Sequence, residues 1–325
     1  MILRNIGGTL ASILVALGLL FVVSEIALRI YMHYAIFYDV EMARYANEFK
    51  LTASDPRIGH VHKPNSEGRL MGVTVRINAD GLRDADYPVP RGDGYRIIFL
   101  GDSLTFGWGV RKGETLESLI EAKCRRREPT AEILNFGTGN YNTEQEVRLF
   151  IEKGMKYQPD EVVVFYFIND AEPTAARSPW AFLGHSRMIT FIWSRAKAVL
   201  SRIRPAASFR EYYADLYKAG QPGWEAMKSA FRKIKDICDA EGIALRAVLL
   251  PELHNPANYP FTEEHRKVSG FLGELGIPFL DLAPYFASES DPLSLWVALD
   301  DAHPNAPAHR KIAEYAFEFV SAGIR

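Results

Sequence analysis

Between residues 95 and 320, short apolar segments alternate with segments that carry a helical pattern. The apolar segments have the length and β-branched content of strands, and the run over 161–167 is continuous enough for a strand buried on both faces. The predicted strands are 95–100, 132–136, 161–167, 244–250 and 278–282, and the predicted helices are 114–127, 143–157, 223–241, 262–275 and 307–320. This alternation favours an α/β fold whose five-stranded parallel sheet is covered by helices on both faces.

Polar residues directly follow three of the predicted strands, in segments 101–104 (Gly-Asp-Ser-Leu), 137–142 and 169–170. A fourth polar segment, 300–304 (Asp-Asp-Ala-His-Pro), precedes the last predicted helix. The carboxyl ends of parallel strands lie at one edge of a sheet, where ligands bind. A serine becomes a nucleophile when a base takes its proton, so an early serine with a late Asp-x-x-His predicts a hydrolytic triad.

These segments resemble the sequence blocks of the SGNH, or GDSL, hydrolase family. The first block matches 101–104, and the last block, Asp-x-x-His-Pro, matches 300–304. The second block falls on 135–143, and the asparagine of the third block falls on Asn169. The resemblance covers about residues 95–322 and implies a flavodoxin-like three-layer α/β/α fold. It also implies activity as an esterase, a lipase, or a carbohydrate O-acetyl esterase or acetyltransferase.

The resemblance assigns roles to particular residues. Ser103 is the expected nucleophile, His303 the expected base, and Asp300 the residue that orients the imidazole. Asp301 is the rival for the orienting role, and its other interpretation is a cap on the last helix. The expected oxyanion donors are the Ser103 N–H, a backbone amide at Gly139 or Asn140, and the Asn169 side chain. The family commonly has glycine where Asn140 stands, so the choice between those two amides stays open.

The N-terminus carries an uncharged apolar run over 6–23, followed by further apolar residues up to 30. As a helix this run is about 27 Å long, which is close to the thickness of a bilayer core. We therefore predict a single-pass anchor over 1–30, with a cleaved signal peptide as the alternative. The short N-terminal tail and the long domain that follows favour a catalytic domain outside the cytoplasm, in the periplasm.

Two further regions complete the predicted organisation. Residues 31–94 form a juxtamembrane segment and a small β-rich lead-in, which contains a strand over 73–77 and a turn over 78–81. The lead-in and anchor together resemble a bacterial, membrane-anchored subgroup of the family that is linked with surface polysaccharide. The hydrolase domain is 95–325, with an insertion at about 171–222. Apolar and basic residues at helical spacing in the insertion predict a helix packed on the domain, lying on a membrane, or acting as a lid.

Composition excludes several other classes of protein. The net charge of −2 over 325 residues gives no basic field, so no nucleic-acid partner is expected. Cys124 and Cys238 are predicted to be buried thiols rather than a disulfide scaffold. His60 and His62 would share a strand face, but no carboxylate or thiol lies near them in sequence, so neither a metal nor a cofactor is predicted.

The predicted function is hydrolysis of an O-acyl ester, with O-acetyl as the favoured group and a cell-surface carbohydrate as one candidate substrate. Two alternatives stay open at this stage. The same triad would act as a carbohydrate O-acetyltransferase if a sugar hydroxyl replaced water. A non-catalytic assembly factor for a polysaccharide machine is the other.

Overall fold

The computed structural model describes residues 2–32, 34–174, 181–203 and 208–324, without the side chains of 2–7, 181–182 and 201–203. The chain divides into two compact units. One consists of Met1–Asn47 and Ser178–Ala206, and the other of Glu48–Arg177 and Ala207–Arg325. The residues with predicted catalytic roles all belong to the second unit.

A five-stranded parallel sheet forms the centre of the second unit. Its strands are β5 (Arg96–Gly101), β6 (Glu132–Asn135), β7 (Glu161–Tyr166), β8 (Ala244–Leu249) and β9 (Phe279–Asp281). Their order across the sheet is β6-β5-β7-β8-β9, and every residue of β5 and β7 is buried. The predicted three-layer α/β/α fold with five parallel strands is therefore confirmed, and its strand order is the flavodoxin-like one.

Helices cover both faces of this sheet. On one face lie α4 (Leu116–Arg127) and α11 (Ala306–Val320), and on the other lie α5 (Thr143–Leu149), α8 (Pro222–Glu241) and α9 (Thr262–Glu274). Alternate residues of β5 point to the two faces, since Ile98 and Leu100 join one core cluster while Ile97 and Phe99 join the other. Cys124 and Cys238 are buried free thiols, as the sequence predicts.

Short elements lie at the carboxyl edge of the sheet. Helix α3 (Ser103–Phe106) follows β5 and α10 (Ala283–Phe286) follows β9. Before α11, the strands β10 (Trp296–Ala298) and β11 (Asp301–Pro304) form an antiparallel hairpin that the sequence analysis does not predict. Helix α7 (Phe209–Leu216), which carries exposed aromatic residues, is also missed.

The lead-in forms two antiparallel ribbons in the second unit. Strands β1 (Lys50–Thr52) and β2 (His60–His62) make the first, and β3 (Glu67–Leu70) and β4 (Val73–Arg76) make the second. The predicted turn after β4 is present, because the Asn78 side chain accepts hydrogen bonds from the N–H groups of Asp80 and Leu82. An Asx turn of this kind stops the strand at a defined residue.

The first unit contains α1 (Ile2–Tyr31), α2 (Tyr38–Arg44) and α6 (Arg187–Ile203). The apolar segment Gly8–Tyr31 of α1 is long and apolar enough to cross a membrane, and none of its most apolar window is buried. Glu25 accepts hydrogen bonds from the Arg187 and Met188 N–H groups and from the Ser186 hydroxyl, so it caps the start of α6. Within this unit, α6 therefore begins beside the end of the apolar segment.

Candidate active site

The sharp turn after β5 presents Ser103. Asp102 caps α3 by accepting the Leu104 N–H at 2.8 Å, so Ser103 is the first residue of that helix. A Cβ on Gly101 would lie 2.1 Å from the Thr105 hydroxyl oxygen, and only glycine lets the chain turn this tightly. The Ser103 side chain is thereby fixed at the carboxyl edge of the sheet, with Ser103 only 8% exposed.

Ser103 contacts a histidine from the other end of the domain. The Ser103 Oγ lies 2.8 Å from His303 Nε2, across 200 residues of sequence. His303 belongs to β11, and the turn into α11 follows it, with Asn305 capping that helix through the Ala308 N–H. The structure thus brings together the serine and the histidine that the sequence predicts to act together.

The carboxylate beside His303 is that of Asp301, and the prediction of Asp300 at this position is wrong. Asp301 Oδ1 lies 2.5 Å from His303 Nδ1, whereas Asp300 is exposed between β10 and β11. Helical spacing, in which residues three apart share a face, would place Asp300 beside His303. The segment is a strand instead, so residues two apart share a face. Asp301 does not cap the last helix, since Asn305 does so.

Two buried residues that the sequence analysis misses hold Asp301 in place. The Trp108 indole Nε1 donates to Asp301 Oδ2 at 2.9 Å. Arg83 is buried and donates to the carbonyls of Phe106, Gly107 and Val110, which fixes the loop that carries Trp108. Burial acts to raise the pKa of Asp301, but the contact with His303 and the Trp108 bond outweigh burial and hold that pKa below its usual value.

Only the folded structure shows that these two residues belong to the site. A buried indole N–H and a buried guanidinium both need partners, which makes Trp108 and Arg83 candidates for a fixed polar network. Trp108 bonds to the Asp301 carboxylate, which is 193 residues away in sequence. Arg83 bonds to three backbone carbonyls that are 23 to 27 residues away. Sequence spacing alone therefore does not connect them to the site.

Asn169 reaches the same site from the end of β7. Its Nδ2 donates to Asp102 Oδ2 at 3.0 Å, and Asp102 Oδ2 also lies 3.4 Å from the Ser103 Oγ. Because a carboxylate only accepts hydrogen bonds, this contact fixes which end of the Asn169 amide faces the serine turn. Asp170 accepts the Phe167 N–H at 3.0 Å, in keeping with a structural role.

Three buried carboxyl groups lie behind the serine turn. Burial raises the pKa of Asp102, and the Leu104 and Asn169 hydrogen bonds oppose that shift. Burial and the charges of Asp170 and Asp102 raise the pKa of Glu146 well above its usual range. Burial and the mutual repulsion of these carboxylates therefore both disfavour the charged form of Glu146.

The loop from β6 to α5 carries the other predicted oxyanion residues. A Cβ on Gly137 would lie 2.2 Å from the Phe106 backbone nitrogen, so this loop lies directly against α3. Asn140 has a φ of 68°, in the left-handed region, and is exposed, whereas Gly139 is buried. Asparagine tolerates this conformation better than most residues, which accounts for its use in a position where the family commonly has glycine.

His60 and His62 each contact a backbone carbonyl of the loops beside them. Among the residues that the structure describes, no group of three or more histidine, cysteine or acidic side chains could hold a metal ion. His60 Nε2 instead lies 3.0 Å from the Gly139 carbonyl, and His62 Nδ1 lies 3.0 Å from the Gly81 carbonyl. One nitrogen of each ring is thus engaged by the protein's own backbone.

A serine, an imidazole and a carboxylate linked in this order at the edge of a parallel sheet form the arrangement expected of a serine hydrolase. The model of the GDSL-like lipase/acylhydrolase family matches residues 99–311, roughly two thirds of the chain. The chain belongs to this family, and it is an ester-bond hydrolase.

Several solved structures are similar to this chain. A catalytic mutant of an acetylxylan esterase from Geobacillus stearothermophilus has a TM-score of 0.47 and 16% identity, covering 70% of this chain and 94% of that one. A lipase/acylhydrolase from Enterococcus faecalis has a TM-score of 0.44 and 13% identity, covering 71% and 97%. A two-domain esterase active on acetylated mannans has a TM-score of 0.44 and 16% identity, covering 70% and 49%. No curated protein matches the chain in sequence.

Proposed function

We propose that this protein is a serine esterase that removes O-acyl groups, and O-acetyl groups in particular, from a carbohydrate. The observation that carries the proposal is the continuous contact from Ser103 Oγ through His303 to the Asp301 carboxylate. Each contact joins atoms of the type that proton transfer needs, and the serine lies at the carboxyl edge of the sheet.

The chemistry follows from this geometry. His303 Nε2 takes the Ser103 proton while Oγ attacks the ester carbonyl, and it later returns that proton to the leaving sugar hydroxyl. Water then attacks the acyl-enzyme with the same base and releases the carboxylic acid. Asp301 keeps the Nδ1 proton of His303 in place and stabilises the imidazolium. The Ser103 N–H, an amide of the Gly139–Asn140 segment and the Asn169 amide are the proposed donors to the oxyanion.

A group of aromatic rings beside the site supports a carbohydrate substrate. His254 lies 4.6 Å from Trp296 and 5.4 Å from Phe209, measured between ring centroids. Trp296 belongs to β10, the strand that pairs with the one carrying His303. Phe209 and Tyr212 are 51% and 45% exposed. Exposed aromatic faces of this kind suit the C–H faces of sugar rings, and their polar edges suit the hydroxyl groups.

Phe209 and Tyr212 are joined by Tyr213, whose ring lies 4.9 Å from Phe209 and 5.1 Å from Tyr212. The Tyr212 hydroxyl donates to Glu172 Oε1 at 3.3 Å, and the Glu172 carbonyl accepts the Asn142 side-chain amide at 2.8 Å. Glu172 follows Asn169 by three residues. Asn142 is the last residue of the loop from β6 to α5 (136–142), which we call the oxyanion loop. The aromatic group therefore connects the His303 side of the site with the Asn169 side, as a subsite for a bulky leaving group would.

Kinetics on two kinds of substrate test the proposal. We expect acetyl esters to be cleaved faster than long-chain esters, and acetylated oligosaccharides to be cleaved with release of acetate. Phe209→Ala should raise KM for an acetylated oligosaccharide by about tenfold, the cost of one stacking contact of about 1.4 kcal/mol. The same variant should leave KM for a small acetyl ester unchanged, because that ester has no sugar ring to stack on Phe209.

Tyr285→Ala is the matched control, since Tyr285 is a similarly exposed aromatic residue that packs on Tyr315 and not on this group. Preference for long acyl chains, or equal effects of the two variants, would overturn the carbohydrate assignment. Acetyl transfer to an added acceptor sugar that exceeds hydrolysis would identify a transferase. Absence of turnover with every substrate would favour a non-catalytic assembly factor.

We also propose that the first unit attaches the protein to the inner membrane, with the catalytic unit in the periplasm. Apolar side chains of α1 such as Leu14, Val15 and Leu20 are exposed, which suits contact with lipid. Helix α6 adds exposed Trp193 and Leu200, and a basic amphipathic helix of this kind suits a membrane surface.

Membrane extraction tests this attachment. Detergent should be needed to release the full chain, whereas high salt and carbonate should leave it in the membrane fraction, because the apolar contact of α1 does not depend on charge. A C-terminal reporter enzyme that works only outside the cytoplasm should be active. Recovery of a soluble mature form that begins near Glu25 would show instead that the segment is a cleaved signal peptide.

A further inference from the structure

The ribbon of β1 and β2 presents polar side chains to the oxyanion loop. In the antiparallel register, Lys50 lies opposite His62, and Thr52 lies opposite His60. Residues opposite each other, and residues two apart in one strand, share a face, so these four side chains lie on the same face of the ribbon.

Two of these side chains converge on one carbonyl oxygen. Lys50 Nζ lies 2.8 Å from the Gly139 carbonyl oxygen and 2.8 Å from Asn140 Oδ1. His60 Nε2 lies 3.0 Å from the same carbonyl oxygen. A carbonyl oxygen only accepts, so His60 Nε2 carries its proton in this contact. The Gly139 carbonyl therefore has two donors on the ribbon side of the loop.

The ribbon packs against the loop and the serine helix α3. The His60 ring packs on the Tyr141 ring with centroids 5.0 Å apart, and the Tyr141 hydroxyl donates to the His60 carbonyl. The His62 ring packs on Phe106, the last residue of α3, at 5.1 Å. Burial lowers the pKa of Lys50 to about 7 and that of His60 to about 3, as expected for groups covered by these contacts.

We propose that Lys50 and His60 are positioning residues that aim the Asn140 N–H at the oxyanion. This inference rests on the proposed esterase function. The Gly139 carbonyl and the Asn140 N–H belong to one planar trans peptide, so they point in opposite directions. Donors that hold the carbonyl on the ribbon side therefore turn the N–H to the other side of the loop. The left-handed conformation of Asn140 then redirects the chain into Tyr141.

The hydrogen bonds to the Gly139 carbonyl also make the Asn140 N–H a stronger donor. Hydrogen bonds to the oxygen of a peptide polarise it and strengthen the hydrogen bond that its own N–H can give. A fixed, polarised N–H helps most when negative charge develops on the substrate oxygen, because no reorganisation is needed at that moment. The lead-in ribbon thus contributes to the transition state although neither side chain touches the substrate.

The test compares kcat and KM for an acetyl ester in ribbon variants. Lys50→Met keeps the chain length but removes the donor, and His60→Phe keeps the ring that packs on Tyr141. We expect the double variant to lose about 10²-fold in kcat with KM changed by less than about twofold. Asn169→Ala, which removes a proposed donor outright, is the benchmark, with a loss of about 10²–10³-fold in kcat. The affinity of a boronic acid that forms a tetrahedral adduct should fall in parallel.

Three further measurements keep the outcome interpretable. Titration of active sites with a phosphonate expresses kcat per folded site, so partial unfolding cannot mimic the effect. His60→Gln places an amide N–H near the position of Nε2 and should restore part of the loss relative to His60→Phe. Lys63→Met, an exposed lysine next to the ribbon, should have no effect. An active wild type together with unchanged kcat per site in the double variant refutes the positioning role, whereas an inactive wild type refutes the proposed function itself.

Discussion

Ser103→Ala is expected to lower kcat for ester cleavage by roughly 10⁵–10⁶-fold, the usual consequence of removing a serine nucleophile. The substitution removes one oxygen atom from a side chain whose contacts are His303 and Asp102. The packing of α3 on the sheet does not depend on that atom, so folding should be retained. Steady-state kinetics and a thermal unfolding curve on the purified full chain measure both effects.

Ser118, in α4, provides a matched control. It lies in the first turn of α4, where its N–H bonds to Thr115, and it does not contact His303. Ser118→Ala should therefore retain kcat within about twofold, as is usual for substitutions away from a catalytic unit. Near wild-type turnover by Ser103→Ala would show that the nucleophile lies elsewhere.

Asp301→Asn is expected to lower kcat by about 10⁴-fold, as replacement of the orienting carboxylate does in other triads. An amide at this position can donate to His303 Nδ1 and so favours the tautomer whose Nε2 carries the proton. That tautomer cannot accept the Ser103 proton. Because the change is isosteric and the Trp108 bond can be kept by the amide oxygen, the loss should appear in kcat more than in stability.

Asp300→Asn is the control for this prediction, and it should retain kcat within about twofold because the Asp300 side chain is exposed. The two variants together show which aspartate orients His303, since the sequence pattern favours Asp300 and the hairpin geometry favours Asp301. A severe loss in Asp300→Asn with a mild one in Asp301→Asn would return the orienting role to Asp300.

The sheet could be predicted from the sequence because its strands are long, apolar and separated by complete helices. The strand predicted over 161–167 is Glu161–Tyr166 in the structure, and the one predicted over 244–250 is Ala244–Leu249. Burial on both faces leaves a continuous apolar run that no loop would carry. The contact between Ser103 and His303 could be predicted as well, because a short motif marks each of these residues.

The carboxylate beside His303 could not be predicted, because its identity depends on local backbone geometry. Helical spacing would select Asp300, strand spacing selects Asp301, and the three-residue strand β10 gives little periodic signal. The contacts of Trp108 and Lys50 cannot be predicted for a different reason. Trp108 bonds to Asp301 across 193 residues, and Lys50 bonds to Gly139 across 89, so only the folded chain brings these groups together.

Covalent labelling shows whether Ser103 is the nucleophile. The full chain is incubated with a fluorophosphonate, digested, and examined by mass spectrometry, with His303→Ala treated in parallel. Attack by Ser103 Oγ on phosphorus needs the same base as attack on an ester carbonyl. We expect one phosphonyl group on the peptide that contains Ser103, with labelling slowed strongly in His303→Ala. Labelling of a different residue, or no labelling of an intact and folded protein, would contradict it.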